Sequence, residues 1–310
     1  MNIGIIGSGG REHSICFKLK QSSKVDKIYC IPGNAGTSEI SENINIDIGN
    51  FEKIYNEIIK KNIELLIVGP EVPLVNGIVD YFEKKNINVF GPSKKASKLE
   101  GSKFFMKKIC SDFKIPTAKY EEITNIKQAE KIINNFSYPI VVKSDGLASG
   151  KGVTICNNKS EALKDISEIL NGKFKSSKKV IIEEFLNGEE ASYFIITDGE
   201  NYLPIGTAQD HKRIGENDTG LNTGGMGAYS PSKIISIEIE KKINKKIIEP
   251  TLKAMKSIGS PYKGILYAGL MIENSEPKLI EYNIRFGDPE CQILMMRLKN
   301  DLLDLILSTF

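Results

Sequence analysis

The chain has 310 residues, too many for one ordinary domain, and two or three are expected. Its 40% apolar content supports buried cores, and its mean hydropathy of −0.20 reads as a soluble protein. The 42 Lys and Arg nearly balance the 39 Asp and Glu, leaving +3, and no basic block with interleaved aromatics appears, which argues against a nucleic-acid partner.

Residues 3–6 form a short apolar strand at the very start. No basic leader or cleavage site precedes it, and no apolar run approaches ~18 residues, so neither a targeting segment nor a membrane span is expected. Gly7-Ser8-Gly9-Gly10 and Arg11-Glu12-His13 follow, then an amphipathic helix to Lys20. Strand, glycine-rich turn and helix make a phosphate cradle, because backbone N–H groups point outward at a helix N-terminus. A dinucleotide fingerprint fits badly. Glu12 stands where the third glycine belongs, and the second strand, 27–31, runs into Pro32-Gly-Asn-Ala-Gly36 instead of an acidic ribose ligand. The reading is a phosphate site without an NAD site; a tight turn without ligand is the alternative. A helix over 51–61, a strand over 65–68, the turn Gly69-Pro70-Glu71, a second helix and Val89-Phe90 complete an alternating pattern. That pattern predicts a doubly wound parallel sheet whose three turns converge on one crevice. Glu71 would meet a ligand hydroxyl or amine there, or remain a solvated turn carboxylate.

Residues 102–113 read as a helix with Lys103 near its start, and 138–143 as a strand ending on Lys143. The loop from Gly146 through Gly150, Lys151 and Gly152 is not a Walker A loop, since Asp145 and Gly152 occupy the places of its first glycine and its hydroxyl residue. Small residues that let amides approach, with Lys143 and Lys151 as point charges, still describe a nucleotide flap. A strand over 180–186 carries Glu183, Glu184, Phe185 and Leu186. Its exposed end offers backbone groups to an adenine, and Glu190 after the turn suits ribose hydroxyls. Residues 209–231 show little period. They begin with Asp210, His211, Lys212 and Arg213 and include Gly225 and Met226, which reads as a long substrate loop in which His211 is structural.

Residues 278–285 form a strand in which Glu281, Asn283 and Arg285 alternate, so they share one face. A carboxylate, an amide oxygen and a guanidinium suit Mg²⁺ plus phosphate. A polar strand edge with a chance ion pair is the alternative. Gly287 and Pro289 end the strand, and a helix begins at Gln292. Cys16, Cys30, Cys110, Cys156 and Cys291 are odd in number and scattered, without Cys-x-x-Cys, so a reduced compartment is expected rather than disulfides or structural zinc.

Lys103, Lys143, the 146–152 loop, Glu183-Glu-Phe-Leu186, Glu190 and Glu281-x-Asn283 follow one another as in the ATP-grasp superfamily. Across nearly the whole chain, Gly7-Ser-Gly-Gly-Arg-Glu-His13, Gly69-Pro-Glu-Val-Pro-Leu74, Gln209-Asp-His-Lys-Arg213, Asn222-Thr-Gly-Gly-Met-Gly-Ala-Tyr-Ser-Pro231 and Asn283-x-Arg-Phe-Gly-Asp-Pro-Glu-x-Gln292 resemble the glycinamide ribonucleotide synthetases. The resemblance implies an α/β protein with an N-terminal doubly wound domain over 1–100 and a two-lobed ATP-grasp α+β domain over 101–310. The flap lobe would cover about 119–187, and the central lobe 101–118 and 188–310. It also implies a further C-terminal domain of about a hundred residues that this sequence does not include. The implied activity is ATP-dependent ligation of glycine to 5-phosphoribosylamine through an acyl phosphate, in a cytoplasmic monomer or weak dimer. By the same resemblance Glu281 and Asn283 would hold Mg²⁺ or Mn²⁺. Lys103, Lys143, Lys151 and the flap glycines would surround ATP. Arg285, Asp210 and Lys212 would serve the reacting groups. Gly7 to Gly10, Gly69 to Glu71, Gly225 and Met226 would hold substrate. Two alternatives are another ATP-grasp carboxylate–amine ligase and a nucleotide-binding module without turnover.

Overall fold

The computed structural model describes residues 1–147, 152–174, 179–216, 219–223 and 225–310. Gly150 and Lys151 of the expected flap therefore lie outside the described residues.

The first sheet is parallel: β1 (Asn2–Gly7), β2 (Lys27–Pro32), β3 (Glu42–Asn43), β4 (Leu65–Val68) and β5 (Asn88–Phe90), in the order β3-β2-β1-β4-β5. Alternation along β1 explains why helices cover both faces. Ile3 and Ile5 join Ile15, Cys16 and Leu19 of the helix Gly10–Leu19 in one core cluster. Ile6 joins Ile54 and Ile58 of the helix Phe51–Lys61, and Phe82, in another. The order reverses at β1, so the carboxyl ends of β1 and β4 flank the switch-point crevice.

A second, antiparallel sheet contains β6 (Tyr120–Ile123), β7 (Ile140–Ser144), β8 (Val153–Cys156) and β9 (Val180–Glu184), in the order β6-β9-β7-β8. With the helices Ile126–Ile132 and Lys159–Leu170 it closes a core of its own around Ile133, Val142, Ile166 and Ile182. The third sheet is antiparallel and larger. Its strands are β10 (Glu189–Thr197), β11 (Tyr202–Asp210), β14 (Ala228–Tyr229), β15 (Gly264–Glu273) and β16 (Glu276–Asn283), in the order β14-β11-β10-β15-β16. The strands β12 (Arg213–Gly215) and β13 (Thr219–Asn222) pair only with each other. Tyr193 and Leu266 of this sheet lie in the same core cluster as Ile6 and Leu66, so the first and third sheets share a hydrophobic centre.

Four local expectations change. The single helix after β4 is two short ones, Glu71–Asn76 and Ile78–Glu83, broken where Gly77 turns left-handed at φ +93. β9 ends at Glu184, two residues early, which leaves Phe185 and Leu186 beyond the ladder. β16 ends at Asn283, so Arg285 does not share its pleat. The cause is visible: the Ile284 amide donates to Glu100 Oε2 at 2.8 Å instead of to a strand partner. Finally, 209–231 is largely β-structure, the end of β11 followed by β12, β13 and β14, rather than a long unstructured loop. Among the described residues, no helix is long and apolar enough to cross a membrane.

Candidate active site

Hydrogen bonds draw the three turns of the first sheet together. Asn34 Nδ2 donates to the carbonyls of Ser8 and Gly9 at 3.0 and 3.1 Å, and an Arg11 Nη donates to the Gly69 carbonyl at 2.9 Å. Glu12, the residue that spoils the dinucleotide fingerprint, is buried beneath them, and its Oε2 accepts the Gly9 amide at 2.5 Å. Burial raises its carboxyl above the ordinary range despite Arg11 beside it. A Cβ on Gly69 would stand 1.9 Å from Glu12 Oε1, so a larger residue there must displace the Glu12 side chain. The Arg11 amide is taken by Asp288 Oδ2 at 3.3 Å. The exposed amides of Ser8 and Gly10 donate to no described residue and remain the open part of the cradle.

Lys103 opens the helix Lys103–Asp112, whose N-cap is Ser102. Asp145, at the root of the flap, caps the same helix end: its Oδ1 accepts the Ser102 hydroxyl and the Phe104 amide, both at 3.3 Å. The Lys103 ammonium donates to the Gly146 carbonyl at 3.0 Å. Burial lowers its proton affinity, and Glu281 opposes that. The Ser144 amide donates to the Gly152 carbonyl at 2.8 Å, closing the base of the flap. Lys143 Nζ lies 2.9 Å from Glu183 Oε2, and the other oxygen faces Lys107 at 3.2 Å. Burial works against the Glu183 charge, but the two lysines outweigh it and hold the carboxyl below its ordinary range. Glu184 turns away and accepts the Lys119 amide at 2.9 Å.

Glu190 is not free, since its Oε2 accepts from Lys212 Nζ at 2.9 Å, with Asp210 Oδ1 at 3.7 Å from the same ammonium. Burial disfavours the charge of both Asp210 and Lys212. Asp210 ends with a raised carboxyl, and Lys212 ends well above its usual value because Tyr267, Glu190 and Asp210 surround it. Thr223 folds the chain back by donating twice to the Lys212 carbonyl, at 2.7 and 2.8 Å. Gly225, at φ +116, leaves only 2.6 Å between a would-be Cβ and Pro289 Cδ. The Asp288-Pro289 turn thus touches both the cradle and the 225 segment. Met226 is 60% exposed, and His211 is exposed with its ring 6.0 Å from Tyr229.

On β16, Glu281 faces Gly269 and Asn283 faces Tyr267 across the ladder. Among the described residues, neither side chain has a hydrogen-bond or ion-pair partner, so their oxygens are open. A divalent cation that keeps phosphate and water ligands needs only such a pair of protein oxygens. No cluster of three or more His, Cys, Asp or Glu able to hold a metal occurs among the described residues. Arg285, by contrast, has a partner on each of its three nitrogens: Nε donates to Glu71 at 3.1 Å, Nη2 to Glu100 at 3.2 Å and Nη1 to the Phe286 carbonyl at 3.3 Å. Burial of Glu71 is overcome by Arg285, and its carboxyl is lowered; burial of Glu100 prevails, and its carboxyl is raised. Sequence reasoning overlooked Glu12, Glu100, Lys107, Asp288 and the capping role of Asp145. Lys107 left a signal in its position one helical turn beyond Lys103, while Glu12 and Asp145 showed only as misfits to other motifs.

A parallel sheet with a glycine-rich crevice, a small antiparallel lobe presenting Lys143 and a central sheet presenting open Glu281 and Asn283 define the ATP-grasp class. Within it, the chain belongs to the phosphoribosylglycinamide synthetase family: that family's N domain matches residues 1–100 and its ATP-grasp (A) domain residues 101–291. A phosphoribosylamine–glycine ligase of Mesorhizobium japonicum is 49% identical over 99% of this chain and 72% of its own length. One of Haemophilus influenzae is 50% identical over 99% and 73%. The crystal structure of a phosphoribosylamine–glycine ligase from Thermotoga maritima superposes with a TM-score of 0.88 at 33% identity, covering all of this chain and 75% of that one.

Proposed function

We propose that this chain ligates glycine to 5-phosphoribosylamine, converting ATP to ADP and phosphate and giving glycinamide ribonucleotide, a step of purine synthesis. ATP phosphorylates the glycine carboxylate, and the amine then displaces phosphate. The observation that carries this reading is the pair Glu281 and Asn283 at the end of β16, whose side chains meet no partner among the described residues and so stand open to a cation. Phosphoryl transfer needs positioning and charge neutralisation more than covalent help. Mg²⁺ or Mn²⁺ on Glu281 and Asn283 would supply neutralisation of the ATP phosphates.

Lys103 and Lys143 flank those phosphates, with Gly152 on the same side; Gly150 and Lys151, outside the described residues, keep the nucleotide role that the resemblance implies. Main-chain groups of Glu184, Phe185 and Leu186 take the adenine, and Glu190 offers the ribose the oxygen that Lys212 leaves free. The Ser8 and Gly10 amides hold the 5-phosphate. Gly69, Pro70 and Glu71 line the amine site, which Gly225 and Met226 cover. Arg285 has a partner on each nitrogen, so it holds Glu71 in place and serves the acyl phosphate through its charge and its two remaining N–H groups. The raised carboxyl of Asp210 makes it the better base for the amine proton, while Glu71, lowered, stays anionic and suits a cationic or hydroxyl partner. Lys212 orients the glycine carboxylate. All five cysteines are free, which suits the reducing cytoplasm. The test is ADP release from Mg-ATP with glycine and fresh phosphoribosylamine, each omitted in turn. Release should need both, and Glu281→Gln should lower it at least about a hundredfold with the fold intact. Near-normal turnover in that variant would remove Glu281 from the metal site.

A further inference from the structure

We propose that Lys107 is a positioning residue for phosphoryl transfer: it shares the Glu183 carboxylate with Lys143 and thereby sets the charge and aim of Lys143 toward ATP. The proposal deepens the ATP-grasp reading and rests on it. Lys107 has no exposed surface, whereas lysines are almost never fully buried without a partner. It cannot touch nucleotide itself. Its ammonium lies 3.2 Å from Glu183 Oε1, donates to Thr117 Oγ1 at 2.8 Å and stands 5.3 Å from the centre of the Tyr120 ring. The Thr117 hydroxyl in turn donates to the Leu279 carbonyl at 2.7 Å, in the strand that carries Glu281 two residues on. One buried ammonium thus joins the strand bearing the open carboxylate to the strands bearing Lys143 and Glu183.

Electrostatics give the junction a purpose beyond packing. Glu183 divides its oxygens, one to each lysine. Two ammonium groups around one carboxylate leave a net positive charge, and Lys143 is the member at the edge of the cluster, 5% exposed. Without Lys107 the pair would be neutral, Glu183 would draw Lys143 inward, and the phosphates would meet a weaker field. A purely structural lysine would be replaceable at no cost in ATP recognition. Removing one partner of a buried ion pair usually destabilises, but here Glu183 keeps Lys143, so losing Lys107 leaves a paired carboxylate rather than a bare one.

The experiment compares wild type, Lys107→Met, Glu183→Gln and the double variant. ATP KM and kcat are measured with saturating glycine and phosphoribosylamine, the affinity for the Mg complex of β,γ-imido-ATP by calorimetry, and the thermal midpoint alongside. Lys107→Met should weaken analogue binding and raise ATP KM tenfold or more while the protein stays folded at the assay temperature, with its midpoint unchanged or lowered. Added to Glu183→Gln, it should cost little further, because the effect passes through that carboxylate. Unchanged analogue binding, or a loss that simply adds to that of Glu183→Gln, would overturn the proposal. Should Lys107→Met not fold, Thr117→Val removes one of its anchors and should raise ATP KM in the same direction, about threefold; no change there would count against it equally. Wild type that binds the analogue without turning over would defeat the ligase reading, while the binding data would still decide the role of Lys107.

Discussion

At the scale of single residues, the crevice is shaped as much by what is absent as by what is present. Gly7, Gly9 and Gly69 each lack a side chain where Glu12 lies close, and Glu12 repays the space by accepting the Gly9 amide. At Gly69 a methyl would overlap Glu12 Oε1 at 1.9 Å. Gly69→Ala should therefore displace Glu12, lower stability by about 1–3 kcal/mol, and raise KM for phosphoribosylamine more than for ATP. Thermal unfolding with a two-substrate kinetic analysis checks both parts; an unshifted midpoint would mean the turn yields without strain. The glycines, lysines and open carboxylate were legible in the sequence because their chemistry is local. Glu12 was legible only as a misfit to another motif. Glu100 and Asp288 act through contacts 184 and 277 residues away in the chain, on Ile284 and Arg11, and no periodicity marks such pairs.

At the scale of elements, the small antiparallel lobe has its own apolar centre, with Ile133, Val142, Ile166 and Ile182 fully buried. Its described ties to the rest of the site include polar ones: Asp145 and the Gly146 carbonyl on the start of the helix Lys103–Asp112, and Glu183 against Lys107. A lobe with a separate core can loosen as a unit. Ile166→Ala should speed amide hydrogen exchange across 120–184 and leave β1 to β5 unchanged; acceleration spread evenly through the chain would show a single cooperative core instead. The strongly periodic helix Phe51–Lys61 was readable to the residue, and in the structure Asn50 N-caps it and a left-handed Asn62 ends it. The strands of 209–231 were not. β12 and β14 have three and two residues, too short for alternation to register, and glycines interrupt the rest. The end of β16 was misjudged because the pattern Glu281, Asn283, Arg285 continues after the ladder stops. Only the Glu100 carboxylate, from another element, ends it.

At the scale of the whole molecule, the first and third sheets share one core, and the third carries the open carboxylate. The Asp288-Pro289 turn lies against both the glycine cradle and the 225 segment. The proposed transfer to a carboxylate followed by attack of an amine would need the segments that this turn joins to stand beside the end of β16. Fold class and reaction class were readable because motifs from all three sheets occur in one chain order. The engaged states of Arg285 and Glu190 were not, because each depends on a partner from another segment. The decisive measurement uses glycine labelled with oxygen-18 in its carboxyl group, with mass analysis of the phosphate formed alongside glycinamide ribonucleotide. Transfer through an acyl phosphate predicts one labelled oxygen in each phosphate released. Unlabelled phosphate, formed in step with product, would contradict the account.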